Sequence, residues 1–303
     1  MILANFDDLR YSSHFEHYDR MGVFGGNVES DKYFRQQAHE MHYLNVVDPL
    51  MNLQFPILDL QYEINDEKAK NHLLYGAVKR SRIIWSAYRE FYSIAPPNRT
   101  APLTGEEPFD VDRALNDIYI QSRGLLDNFA WGMLYALHPE KVDSTHPNDI
   151  GIFSKKFAKL PKLSWLNEVV PEFKNWEKGL KLRRDSGAHR IPLSVPPSVV
   201  DEDGAKARSI LLTDWQKASA DHIAALSQKH PEEEIEKLEK IAESFKSRLD
   251  NLGSFQCLMV QDANSQPVPI YPTVTEDVGY LVQLVSILVE RLKNTLDQAA
   301  SKV

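Results

Sequence analysis

Cysteine is nearly absent. Cys257 is the only one in 303 residues, so no disulfide can close within the chain and its stability must come from packing. An excess of positive charge is missing as well. The 35 Lys and Arg against 43 Asp and Glu leave a formal net charge of −8, which argues against adhesion to nucleic acid or anionic lipid through the whole surface; a polyanion would have to be met by a local patch. Long hydrophobic runs are also lacking. The most apolar stretch, Val278 to Leu292, is interrupted by Gln283, Ser286 and Glu290 and is too short to cross the roughly 30 Å hydrocarbon core of a bilayer, so no membrane span is expected. The opening run Met1 to Asp8 lacks the basic and then apolar pattern of a secretory signal, and a cytoplasmic location is expected.

Glycine-rich phosphate loops are missing too. No G-x-x-x-x-G-K-[ST], G-x-G-x-x-G or G-x-S-x-G occurs, which removes the usual nucleotide-cofactor and hydrolase signatures. His39-Glu40-Met41-His42 places its histidines three apart, not at the H-E-x-x-H zinc spacing. His14 and His17 fail the same test, and His138 and His146 flank a proline-containing turn that they are expected to cap or line. No metal or cofactor is expected.

What the chain does have is helical periodicity in long segments, and 43% hydrophobic content to bury behind it. Leu74, Ala77, Val78, Ile84, Trp85, Tyr88, Phe91 and Tyr92 form one stripe that stops before Pro96-Pro97. A second helix is predicted from Asp110, as N-cap, to Leu137, with Leu115, Ile118, Leu125, Phe129 and Met133 on its face. The two should pair antiparallel. A third starts near Pro171 and aligns Phe173, Trp176 and Leu180. After the break from Ile191 to Pro197, Leu211, Leu212, Trp215, Ile223 and Leu226 mark a fourth, and Pro231 opens a fifth whose first turn holds Glu232, Glu233 and Glu234, where the helix dipole favours acid. Phe255 to Val260 and Pro267 to Tyr271 suggest a hairpin, its second strand held to an edge by two prolines. A last helix is predicted from Glu276 to Leu296, and a short one between Asp31 and Tyr43. The five tryptophans fall at helical spacing and are expected in the core. The expected fold is mainly α, an antiparallel helical bundle with a short β-hairpin near the C-terminus. It forms one helical domain over residues 1–303, with 1–60 an irregular N-terminal extension and 254–273 a β-hairpin insertion.

The chemically pointed feature is the run Arg183-Arg184-Asp185-Ser186-Gly187-Ala188-His189-Arg190. Carried forward, the Phe173, Trp176, Leu180 stripe next meets Arg183 or Arg184, so one guanidinium is aimed at buried or interfacial space, and burying that charge needs an anionic partner. If the helix continues, Asp185 and His189 share a face. Arg184 and His189 lie about 140° apart on an ideal helix. They converge on one atom only if the helix ends or bends, as Gly187 would permit, or if a second chain completes the site. Cationic compensation of a helix C-terminus, with a local ion pair, accounts for the same residues without any ligand.

An arginine, a polar residue directly after it and a histidine four to six residues further, at the end of a helix in an all-helical bundle, resembles the motif of the HEPN superfamily. Arg184, Asp185 and His189 make the match, and Arg183 fits the looser spacing. Arg10 with His17 and Arg35 with His42 share that spacing but are followed by Tyr11 and Gln36, in weakly patterned sequence. Many members of the superfamily are metal-independent RNA endonucleases of toxin–antitoxin and antiviral-defence systems. The resemblance implies His189 as general acid or base on a ribose 2′-hydroxyl, Arg184 as phosphate clamp and Asp185 as the residue orienting them. Arg183, Arg190 and Lys181 would bind substrate. It also implies an RNA substrate, a 2′,3′-cyclic phosphate product, a composite site in a homodimer and an antitoxin or operon partner. An alternative of a different class is a noncatalytic helical interaction protein that uses the same basic cluster for an acidic partner or for structure.

Overall fold

The computed structural model describes residues 46, 48–96, 99–189, 191–261 and 267–300. The expected helix between Asp31 and Tyr43, the His39 to His42 cluster, the Arg10 and Arg35 pairs, and Arg190 lie outside these residues. The described chain is mainly α with one two-stranded sheet. Among the described residues no helix is long and apolar enough to cross a membrane.

The first helices correct an expectation. Residues 48–60, read from sequence as part of an irregular extension, form α1 (Asp48–Asn52), α2 (Gln54–Asp59) and the start of a 3₁₀ turn at Leu60–Tyr62. Leu50, Leu53, Ile57 and Leu60 are fully buried in the central core, so the segment belongs to the bundle. The next helical rod begins at α3 (Glu67–Lys70), where Asp66 caps the Ala69 N–H at 2.7 Å. It widens into a π-helical stretch at Asn71–Val78 and continues as α4 (Lys79–Ile94). Its buried line of Leu73, Ala77, Val78, Ile84, Ala87, Tyr88 and Phe91 ends before Pro96, as the periodicity predicts.

α5 (Glu107–Leu137) packs along α4 and is the central element. It starts a turn earlier than Asp110. Pro108 sits in the first turn, where its missing N–H is no loss, and the Glu107 carboxylate accepts the Thr104 N–H at 2.8 Å and a two-pronged grip from Arg99 at 2.8 and 2.7 Å. That anchors the loop between the two helices. After a series of short 3₁₀ turns and α6 (Leu166–Val169), a further 3₁₀ turn at Val170–Phe173 and α7 (Lys174–His189) bring Phe173, Trp176 and Leu180 into the core.

α8 (Glu202–Ser227) and α9 (Glu232–Asp250) form a helical hairpin that packs chiefly on itself. Leu211, Ala218, Ala225 and Ala242 are buried between its arms but do not join the central core. The strands β1 (Leu258–Met259) and β2 (Val268–Pro269) pair antiparallel, Met259 opposite Val268. Both are shorter than the sequence suggests, β2 because the last helix, α10 (Ile270–Ala300), claims Ile270 and Tyr271. Pro272 falls in its first turn, which proline tolerates, so the helix begins well before Glu276. Of the tryptophans only Trp176 is buried; Trp85, Trp131 and Trp165 pack half-buried against the core, and Trp215 lies on the hairpin.

Candidate functional site

The inward stripe of α7 settles which arginine faces the interior. Arg183 continues the line from Leu180, and its side chain is 11% exposed. Its Nη2 lies 2.7 Å from the Asp277 carboxylate of α10. The Tyr119 hydroxyl of α5 donates to the same carboxylate at 2.8 Å, and the guanidinium sits 5.3 Å from the Tyr119 ring centre. Gly179 leaves the space for this fork, since a Cβ there would come 2.8 Å from Nη2. The buried charge therefore has the partner that its position demands. Burial pushes Asp277 up to about 6, against the opposing pull of Arg183 and of the Tyr119 hydrogen bond. Burial and the neighbouring carboxylate raise Tyr119 well above its ordinary value. Glu276, beside the pair, is raised by burial and held back by Arg183.

This takes Arg183 out of the substrate-binding set: its guanidinium is spent on tying α7 to α5 and α10. Arg184, one residue on and about 100° around the helix, is one-third exposed, and its Nη1 lies 2.9 Å from Asp185 Oδ1. Asp185, expected to share a face with His189, is thus engaged by its neighbour. Lys181 and Leu182 are exposed, while Ser186 is buried and bonds back to the Leu182 carbonyl at 3.1 Å.

The backbone is helical through Gly187 and Ala188 to His189. The helix break that Gly187 would permit does not occur. On this continuous helix positions 184 and 189 stay about 140° apart.

The chain beyond α7 is pinned. The Asp112 carboxylate of α5 accepts the Val195 N–H at 2.7 Å. Asn116, a turn further, clasps the Leu193 backbone from both sides, donating at 2.8 Å and accepting at 3.1 Å. Ser194 pairs with Val260, and Val199 with Ser254, as isolated antiparallel bridges. Residues that the sequence presents as a proline-rich break are a strap laid between α5 and the β-hairpin segment. Burial raises Asp112 to about 6, partly offset by the Val195 N–H.

Tyr119, Asp277, Asp112 and Asn116 carry no sequence motif. One signal did exist for Asp277: an acid standing in register with Leu281, Leu284 and Leu288, all fully buried, on the face of a helix bound for the core. The expected turn roles of the two histidines hold. His138 closes α5 with its Nδ1 3.2 Å from Glu140, and His146 accepts the Asn148 N–H at 3.2 Å. Compared with known proteins, the chain matches no family model, no curated protein and no solved structure.

Proposed function

We propose that the protein is a metal-independent RNA endonuclease of toxin or antiviral-defence type, working as a homodimer whose two α7 ends form one site. The observation that carries this is the division of labour between adjacent arginines. Arg183 locks the register of α7 from inside, which presents Arg184 and Asp185 at the partly exposed side of a helix that continues through His189.

In this mechanism the His189 imidazole takes the proton from a ribose 2′-hydroxyl, a task suited to an ordinary pKa of about 6.5. The 2′-oxygen attacks the adjacent phosphorus, the bond to the 5′-oxygen breaks, and that oxygen leaves with a proton. The products are a 2′,3′-cyclic phosphate and a 5′-hydroxyl. Arg184 grips the non-bridging oxygens with a planar fork that lysine cannot reproduce. Asp185 holds that fork in orientation, and Lys181 and Arg190 add local positive charge. Because one helix cannot turn positions 184 and 189 to the same phosphate, the site draws on both chains.

The test is cleavage of single-stranded and structured RNA in excess chelator, with product ends typed for cyclic phosphate. His189→Ala and Arg184→Ala should each lower the rate by about a hundredfold or more. Undiminished cleavage by His189→Ala would sink the proposal.

A second reading rests on the hairpin. Ile210 and Ile223 are 63% and 62% exposed on α8, an arrangement that suits a noncatalytic interaction protein. A strict monomer by gel filtration, with no cleavage, would favour it.

A further inference from the structure

A polar clasp joins the π-helical stretch and α4 to α5. Arg80 Nε donates to Asn128 Oδ1 at 2.9 Å, and its Nη1 donates to Gln121 Oε1 at 2.6 Å. Both acceptors are neutral amides, and among the described residues no carboxylate pairs with this half-buried guanidinium. Two glycines make the geometry possible. A Cβ at Gly124 would lie 2.4 Å from Arg80 Nη1, and one at Gly76 would lie 2.4 Å from Asn128 Nδ2. The guanidinium therefore rests on bare helix backbone, held by neutral partners that leave its charge in place. A positive charge so fixed is prepared for an anion.

The other end of Asn128 faces a ring cluster. Its Nδ2 lies 3.3 Å from His72 Nδ1, and burial lowers the His72 pKa, so the neutral ring accepts this bond. The His72, Trp131 and Tyr135 rings lie 5.5 to 6.0 Å from one another with planes within 29°. All three are partly exposed, and Lys68 sits 5.5 Å over Tyr135. One amide thus separates an anion-binding fork from an aromatic surface, which is within the reach of a single nucleotide. π-Helical stretches are frequent at functional sites, and this one supplies both His72 and Gly76. An open groove of about 810 Å³ along the same helices is different, because its Arg113 is paired with Glu90 and Asp110.

We propose that this clasp is a binding site for a nucleotide unit, with a phosphate on Arg80 and the base against the His72, Trp131 and Tyr135 rings. It stands apart from the Arg184 to His189 run and does not depend on the chain cleaving RNA. The unit is a free nucleotide or one residue of a single strand, for which a cation beside aromatic faces is the general recognition mode.

Calorimetric titration of the full chain separates the cases, using AMP, adenosine, inorganic phosphate and a 2′-O-methyl oligonucleotide of about ten residues that cannot be cleaved. AMP should bind more tightly than adenosine or phosphate alone. An oligonucleotide that outcompetes AMP assigns the site to a strand, and one that binds no better assigns it to a free nucleotide. Arg80→Gln should weaken binding by about tenfold or more. Gly124→Ala keeps the arginine and introduces a better helix former, yet displaces the guanidinium, so it should weaken AMP similarly while leaving adenosine unchanged. Failure of both AMP and the oligonucleotide to bind overturns the proposal, as does binding indifferent to Arg80→Gln and Gly124→Ala. Loss of cleavage in His189→Ala with AMP binding intact keeps this site separate from the catalytic one.

Discussion

Removing either partner of the buried Arg183 and Asp277 pair should destabilise the fold, but unequally. Asp277→Ala strands a guanidinium that is 11% exposed and that cannot shed its proton. The expected loss is about 3–5 kcal/mol, the range for a buried pair broken on one side, with Tyr119 also losing its acceptor. Arg183→Met leaves a carboxylate, and a carboxylate can neutralise itself. Asp277 is raised to about 6 even with Arg183 beside it, so protonating it at pH 7 takes on the order of 1 kcal/mol. That bounds the Arg183→Met loss near 1–2 kcal/mol. The double variant Arg183→Met with Asp277→Ala removes both charges together and should recover most of the Asp277→Ala loss, ending about 1–2 kcal/mol below wild type, because no buried charge is left unpaired.

Urea denaturation followed by circular dichroism measures all three, and the double-mutant cycle should yield a coupling of about 3 kcal/mol or more. The pH dependence sharpens the test. Between pH 7 and 5.5 the Arg183→Met deficit should shrink, because wild-type Asp277 takes up a proton over the same range, while the Asp277→Ala deficit should not. Equal losses in the two single variants, or single losses that simply add, would refute the assignment of Arg183 to the interior.

Asp112 has its pKa raised by burial to about 6, so the folded state binds a proton more tightly than the unfolded chain, and stability should fall as pH rises from about 4 to about 6. Asp112→Asn should flatten that part of the pH–stability curve and raise stability at pH 7 by about 1–3 kcal/mol, read by denaturation at a series of pH values. Gly132→Ala should lower the melting temperature despite its better helix propensity, because the added Cβ would lie 2.7 Å from Leu73 Cγ in a packed core; an overpacking loss of about 1–3 kcal/mol is expected. The Arg99 and Thr104 bonds hold the Glu107 pKa down, so its contribution is present above the ordinary carboxylate range and is lost as pH falls through the lowered value. Glu107→Gln should destabilise by about 1 kcal/mol at pH 7 and by less at pH 3, measured in parallel melts.

The long helices and their faces are legible in the sequence because burial is periodic. The stripes from Ala77 to Phe91, along α5, and from Phe173 to Leu180 point into the core as read. Boundaries are less legible where proline opens a helix. Pro108 and Pro272 stand in the first turns of α5 and α10, which begin earlier than the starts at Asp110 and Glu276 read from the sequence. Least legible are long-range polar pairs. Arg183 finds Asp277 94 positions away, and Arg80 finds Asn128 48 positions away; neither separation leaves a local pattern. Exposed apolar residues mislead in the same way. Ile223 and Leu226 continue the pattern of α8, yet they are 62% and 50% exposed, because a two-helix hairpin has too few neighbours to cover every apolar position.

Two arginines side by side in a motif invite substitution as a pair, and here that experiment would be uninterpretable. Consecutive helical positions diverge by about 100°, so whatever fixes Arg183 inward fixes Arg184 outward. The contrast is measurable with two readouts that need not move together. Arg183→Met should lower folding stability by about 1–2 kcal/mol and should leave catalysis by the remaining folded protein largely in place. Arg184→Ala should change stability by no more than about 0.5–1 kcal/mol, the value of a partly exposed ion pair, and should abolish RNA cleavage if the proposed site is correct. The reverse pattern, a silent Arg183→Met beside a strongly destabilised Arg184→Ala, would mean that the helix presents its faces the other way round and would remove the structural basis for placing the phosphate clamp at Arg184.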